Sequence, residues 1–315
     1  MSSFLRDFLL LTLAVVVSSF WIYKLQEPGI LKKIDRVNNS HINIINLGTS
    51  HGSCFDYSVI SLNGENFSRA GNTLYYDLQN YTFLKKKLAD CATIIIPVSY
   101  YVFGLDENRT DRGKNNPFVN NFYYYLPAEQ IHAYSSDKFK DLIVYRTQKN
   151  FKRLFSWKRT KKELSLSLSD HKLQLAKHAE RRSRRHQRLG EFSTPGKNIR
   201  YLGLLISSAQ KSGHRPILVT VPYYFEYKNG FSDEWLQEHY YNYLSSLKKK
   251  FNIEHLDYSF DTRFFREASL FEDSDHLNDT GKKKFSRIFN DDLQERGFFL
   301  NARKNDYIPL NKTFL

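Results

Sequence analysis

Cysteine is scarce: Cys54 and Cys91 are the only two in 315 residues. Two cysteines exclude a disulfide scaffold, and neither sits in a Cys/His cluster with zinc-ligand spacing. They either form one bridge in an oxidising compartment or remain two buried thiols. Internal repeats and low-complexity tracts are absent, which excludes a repeat architecture. The composition of a disordered chain is lacking too. With 41% apolar residues, including 25 Phe, 21 Tyr and 3 Trp, the chain buries one large core or two small ones. Negative charge is in deficit, 33 Asp and Glu against 47 Lys and Arg, for a formal +14. That excess implies an anionic neighbour: a membrane surface, a polyanionic glycan or nucleic acid.

Charge is also missing from residues 8–23, FLLLTLAVVVSSFWIY. Sixteen uncharged residues make a short membrane span if Lys24 snorkels, with Trp21 and Tyr23 in an interfacial belt. A cleaved signal peptide would show a small-x-small site after the apolar run, and none follows. A buried core helix would not be apolar all round at a chain end. Residues 1–24 are therefore expected to anchor the chain, and residues 25–40 to form a polar linker. Flanking charge favours a cytoplasmic C-terminal side, since Lys24, Lys32, Lys33 and Arg36 follow the span and only Arg6 and the terminal amine precede it.

Beyond residue 40, apolar runs and helical periodicity alternate. Strands are expected at 41–47, 65–68, 93–98, 216–221 and 253–258, the first, third and fourth being β-branched and apolar. Helices are expected at 72–88, 198–212, 235–251 and 278–293. Strands separated by helices imply a parallel sheet covered on both faces, with ligands at the carboxyl ends of the strands. The stretch from about 105 to 197 breaks this rhythm. Residues 146–200 hold seventeen Lys and Arg against four Asp and Glu, nearly the whole molecular excess. Its centre, residues 177–188, reads as a helix whose charges are either simply solvated or form an anion-binding surface through Arg181, Arg182, Arg184 and Arg185. No helix-turn-helix, RNP-like or zinc-finger pattern accompanies it, which argues against nucleic acid.

Two short motifs carry chemistry. The first is Leu47-Gly48-Thr49-Ser50-His51-Gly52, directly after the first strand. Small residues around a serine at a strand-to-helix turn expose its hydroxyl and aim backbone N–H groups at whatever bonds to it. An α/β-hydrolase elbow would place several strands before the serine, and a phosphate-binding loop would be followed by Lys-Ser/Thr. Neither holds. The second is Phe271-Glu272-Asp273-Ser274-Asp275-His276-Leu277-Asn278, before the last helix. A carboxylate three residues ahead of a histidine in a tight turn reaches its Nδ1–H and leaves Nε2 to take a proton. Asp273 has that offset; Asp275 and Glu272 fit it less well. Asn278 or Asp279 would cap the following helix in any case.

A serine after strand one paired with a late D-x-x-H resembles the SGNH/GDSL hydrolase superfamily. The wording G-T-S-H-G with D-S-D-H-L-N-D-T-G-K-K-K-F-S is most similar to its cell-envelope branch, which includes the D-alanine-transfer protein of lipoteichoic acid synthesis and the alginate and peptidoglycan O-acetylation proteins. The resemblance covers residues 41–104 and 198–296. It implies an α/β, flavodoxin-like three-layer α/β/α domain over 41–297; the basic helical insertion at about 105–197 and the tail at 298–315 are not explained by it, and the preceding N-terminal transmembrane helix is read from the apolar run alone. It also implies a serine acyl-enzyme that needs no metal or organic cofactor.

Carried over residue by residue, Ser50 matches the nucleophile, His276 the base and Asp273 its orienting partner. The oxyanion donors would be the Ser50 and Gly71 N–H groups. The asparagine that the superfamily usually adds after the third strand is missing from Pro97-Val98-Ser99-Tyr100-Tyr101, so Asn72 or Ser99 would substitute. His51 reads as a supporting or substrate contact rather than the base. The aromatic runs at 122–126 and 223–227 either stack on sugar rings or pack in the core. The implied partners are an acylated glycan or acyl donor, the membrane through the N-terminal helix, and a membrane acyl-transfer protein. The implied location is extracytoplasmic, against the flanking charges. The alternatives are a non-catalytic envelope scaffold that binds an anionic glycan, and a cytoplasmic protein held to anionic lipid by the basic region.

Overall fold

The computed structural model describes residues 29–105, 167–191 and 195–299. The chain divides into two units, Met1–Ser40 and His41–Leu315. In the first unit, residues 8–23, the expected span, lie outside the described residues. Among the described residues no helix is long and apolar enough to cross a membrane. The stretch expected to be linker contains helix α1 (Gly29–Asn39), where Ile30, Ile34 and Val37 are buried. Their spacing by four and three residues gives one apolar stripe amid polar neighbours, enough for an amphipathic helix.

The second unit is built on a five-stranded sheet, β1 (Ile44–Asn46), β2 (Gly64–Asn66), β3 (Thr93–Pro97), β4 (Arg215–Thr220) and β5 (His255–Asp257). The strand order is β2-β1-β3-β4-β5 and every pairing is parallel, the flavodoxin-like order. Every residue of β1 and β3 is buried. Their isoleucine-rich character, with the polar Asn46 and Thr93 at their ends, is what a strand covered on both faces requires. Helix α2 (Leu74–Leu84) packs on α4 (Pro195–Lys211), with α3 (Leu168–Glu191) between them in sequence.

After β4 come α5 (Phe225–Asn229), α6 (Asp233–Leu236) and α7 (Asn242–Phe251). The single helix expected over 235–251 is divided by a wide π turn at Gln237–Tyr241. Tyr240 lies in that turn, and its hydroxyl bonds to the Val98 carbonyl and the Thr220 hydroxyl. A short antiparallel hairpin of β6 (Phe271–Asp273) and β7 (His276–Leu277) precedes the last helix, α8 (Asp279–Glu295). Asn278 caps α8, its side chain accepting the Gly281 N–H.

Helix α3, the described part of the basic insertion, is not solvated on all sides. Leu175, Ala179, Ser183 and His186 form a buried inner face of α3. Gly104 is required where this helix lands: a Cβ there would stand 2.1 Å from the Leu189 carbonyl oxygen. Tyr223, Tyr224 and Tyr227 are buried, with Tyr100 and Phe231 around Tyr227. Of the two readings for residues 223–227, these rings therefore take core packing rather than sugar stacking. Residues 122–126 lie outside the described residues. Both cysteines are free; Cys54 is buried but Cys91 is exposed, which corrects the reading of two buried thiols.

Candidate active site

Ser50 opens a 3-10 turn, Ser50–Cys54, at the carboxyl end of β1. The turn is held from below. Gly48 takes φ +99°, and a Cβ there would meet the Pro97 ring at 3.0 Å. Its N–H donates to Asp77 Oδ1 at 2.8 Å and its carbonyl accepts from Asn72 Nδ2 at 3.0 Å. The Gly52 carbonyl accepts from the side chains of Asn46 and Asn66, each at 2.9 Å. Burial pushes the Asp77 carboxyl up to about 7, although the bonds from Gly48 and Asn72 favour its charged form.

The β6–β7 hairpin brings Asp273 directly opposite His276. His276 Nδ1 lies 2.9 and 3.1 Å from the two Asp273 oxygens, and its Nε2 lies 2.9 Å from Ser50 Oγ. Nδ1–H therefore donates to the carboxylate, and Nε2 presents a lone pair to the serine hydroxyl. Burial alone would lower the His276 pKa. The Asp273 hydrogen bond and the charges of Asp275 and Asp273 outweigh it, so the pKa stands above its ordinary value.

A second chain of side chains runs beside this one. His51 Nε2 is 3.0 Å from Asp275 Oδ2, and Arg182 Nε donates to both Asp275 oxygens at 3.1 Å. The Tyr223 hydroxyl lies 3.4 Å from His51 Nδ1. Burial would raise the Asp275 pKa, but the His51 hydrogen bond and the surrounding positive charge hold it well below the carboxylate range. Burial lowers the His51 pKa despite its bond to Asp275. With 2% exposure, His51 supports the turn and is not a substrate contact.

The other expected site residues fall in different places. Arg69 N–H donates to the Gly48 carbonyl, and Asn72 N–H to the Arg69 carbonyl. That sets the turn containing exposed Gly71, φ +75°, against the end of β1. Asn72 does not serve as an oxyanion donor: its amide is committed to the Gly48 carbonyl and Asp77 Oδ1. Ser99 is buried in the loop after β3. Arg182 turns inward to Asp275, which removes it from the anion-binding set. Arg181, Arg184 and Arg185 stay outside, lining a 470 Å³ cleft with Arg188 and Glu180.

Three residues of α3 grip the loop around the hairpin: His171 and His178, which the sequence did not single out, and Arg182, expected there only as part of an anion-binding surface. His171 Nε2 bonds the carbonyls of Ala268 and Phe271, His178 Nδ1 the Ser274 hydroxyl, and Arg182 the Asp275 carboxylate. Their spacing of seven and four residues puts all three on one helical face. That spacing was the available signal. Two groups could in principle hold a metal ion, His51 with Asp275 and His276, and His178 with Asp273 and Asp275. Their carboxylates are already engaged by His276, His51 and Arg182, and a cation there would meet the guanidinium.

No family model matches the chain, and no curated protein matches it. Similar solved structures include an acetyl xylan esterase, AlAXEase, at 13% identity and TM-score 0.38, covering 80% of this chain and 98% of that one. Another is a putative GDSL-like lipase from Parabacteroides merdae, at 9% identity and TM-score 0.37, covering 83% of this chain and 99% of that one. At these values neither likeness extends to activity or substrate.

Proposed function

We propose that the chain is an SGNH-type serine esterase or O-acyltransferase that acts on an acyl ester of a cell-envelope polysaccharide. The observation that carries this reading is the Asp273–His276–Ser50 series, joined at 2.9 Å on both sides of the imidazole. His276 Nε2 takes the Ser50 proton as Oγ bonds the ester carbonyl carbon. The oxyanion that forms faces the N–H groups of Ser50 and Gly71. The bond to the leaving oxygen then breaks, that oxygen takes the proton from His276, and the acyl group remains on Ser50. Water or a sugar hydroxyl gives its proton to His276 and attacks the acyl carbon; the bond to Ser50 Oγ then breaks and Oγ takes that proton back from His276. Water makes the reaction hydrolysis; a glycan hydroxyl makes it transfer.

The polysaccharide and the extracytoplasmic location rest on the wording of the two motifs. In this reading the apolar run at 8–23 is the membrane anchor, the exposed arginines of α3 face an anionic glycan, and a membrane acyl-transfer partner supplies the donor. Incubation with p-nitrophenyl acetate followed by intact-mass measurement tests it: an added acetyl group on Ser50 supports the proposal, and acetylation that persists in Ser50→Ala counts against it. A second reading, a glycan-binding scaffold without catalysis, is favoured by the asparagine-free loop after β3. It requires that Ser50→Ala retain full biological activity.

A further inference from the structure

We propose that Arg182, Asp275 and His51 form a buried second relay, in which Arg182 is a positioning residue that sets the charge beside His276 and holds the turn carrying Ser50. The Asp275 side chain is fully buried, while that of Arg182 is 27% exposed. A carboxylate taken out of water is costly unless it is paired and hydrogen-bonded. Asp275 meets both conditions, through the Arg182 Nε–H shared between its oxygens and through His51.

The pairing reaches the triad by two routes. The first is charge. Asp275 Oδ1 lies 3.8 Å from His276 Nδ1, so His276 faces two carboxylates, Asp273 and Asp275, and Arg182 offsets one of them. Beyond these, the titratable groups around His276 and Asp275 are His51, His178 on Ser274, His186, and the buried phenols of Tyr101, Tyr223 and Tyr227. The second route is geometry. His51 is covalently next to Ser50 and is gripped from Nε2 by Asp275 and from Nδ1 by Tyr223. Nε2–H donates to Asp275, which leaves Nδ1 to accept from Tyr223. That tautomer keeps the second imidazole from competing as the base. Arg182 comes from the basic helix, so α3 belongs to the site even though it supplies no triad residue.

The inference rests on the proposed function for its kinetic readout alone. The test takes the full-length chain as wild type, Arg182→Gln and Arg182→Lys. It records the imidazole ¹⁵N titrations of His51 and His276 and the pH dependence of Ser50 labelling by a fluorophosphonate. Removing a positive charge at this distance should raise proton uptake by the imidazole pair by about one pH unit. Labelling of Arg182→Gln should slow by at least about tenfold, as expected of a misplaced nucleophile. Arg182→Lys should restore the titration, because the charge returns, while labelling stays slow, because a terminal ammonium does not reproduce the mid-chain Nε–H shared between both Asp275 oxygens.

A folded Arg182→Gln with wild-type titrations and wild-type labelling overturns the relay. If Arg182→Gln does not fold, Arg182→Lys decides: wild-type labelling by it also overturns the positioning role. If the wild type takes no label at Ser50, the proposed function fails, and the two titrations still decide the relay.

Discussion

His51 and Asp275 meet at 3.0 Å alongside the 2.9 Å approach of Ser50 to His276. Two neighbours in one turn thus face two neighbours in one hairpin, in reversed order (50 with 276, 51 with 275), across more than two hundred positions of sequence. One pair is arranged for proton transfer and the other is sealed from water. The difference follows from burial: His51 and Asp275 are 2% and 1% exposed, and Arg182 supplies the charge that a sealed carboxylate needs.

Asp273→Asn should cut turnover by about 10²- to 10⁴-fold, because the amide no longer fixes the Nδ1–H tautomer. It should also move the acid limb of activity to lower pH. His276 must be neutral to act as a base, and its bond to Asp273 is one of the contributions that raise its pKa above the ordinary value. Initial rates on an activated acyl ester between pH 5 and 9 give both quantities. An unchanged limb would mean that Asp273 does not set the protonation of His276.

Asp77→Asn should stabilise the protein at pH 8 more than at pH 5. The Asp77 pKa rises from an ordinary 3.8 to about 7 on folding, so the folded state holds this proton more tightly than the unfolded one. Stability from this group is therefore lost as pH climbs from about 4 to about 7, a loss on the order of a few kcal/mol. Asn keeps the acceptor for the Gly48 N–H and has no charge to bury. Thermal midpoints of both proteins at the two pH values should diverge with rising pH; parallel midpoints would show that Asp77 is not the source of the slope.

Gly104→Ala should destabilise the fold by about 1–3 kcal/mol, the usual cost of forcing extra volume into packed structure. The new methyl would fall on the Leu189 backbone, and either α3 or the 102–104 turn must move. Since α3 carries Arg182, labelling of Ser50 should fall with it. Denaturant unfolding together with labelling checks both effects, and a fully stable, fully active variant would show that α3 docks elsewhere.

Much of this arrangement could be read before any coordinates. Local spacing sets Asp273 against His276, while Ser50 stands at the carboxyl end of β1, where a parallel sheet gathers its site residues. The strong strands were legible because a doubly covered strand favours a continuous apolar run, as in Ile94–Val98. Other features were hidden by chemistry that looks like something else. Arg182 sits in a run of arginines, and only tertiary structure shows which one turns inward. The inner face of α3 uses Ala179, Ser183 and His186 in place of an apolar stripe, so the helix looked solvated. In α1, charged residues between Ile30, Ile34 and Val37 obscured the stripe. The π turn at Gln237–Tyr241 leaves the helical period nearly intact, which made one helix of three pieces. Asn72 was a reasonable oxyanion donor by position, but its bonds to Gly48, 24 residues away, and to Asp77, five residues on, carry no sequence mark.

The most direct measurement is fluorophosphonate labelling of the full-length chain, with the modified peptide located by mass spectrometry. A phosphonyl group on Ser50, abolished in Ser50→Ala and strongly slowed in His276→Ala, is the predicted result. Labelling that persists in Ser50→Ala, or that proceeds at the wild-type rate in His276→Ala, would contradict the assignment of Ser50 as a nucleophile activated by His276.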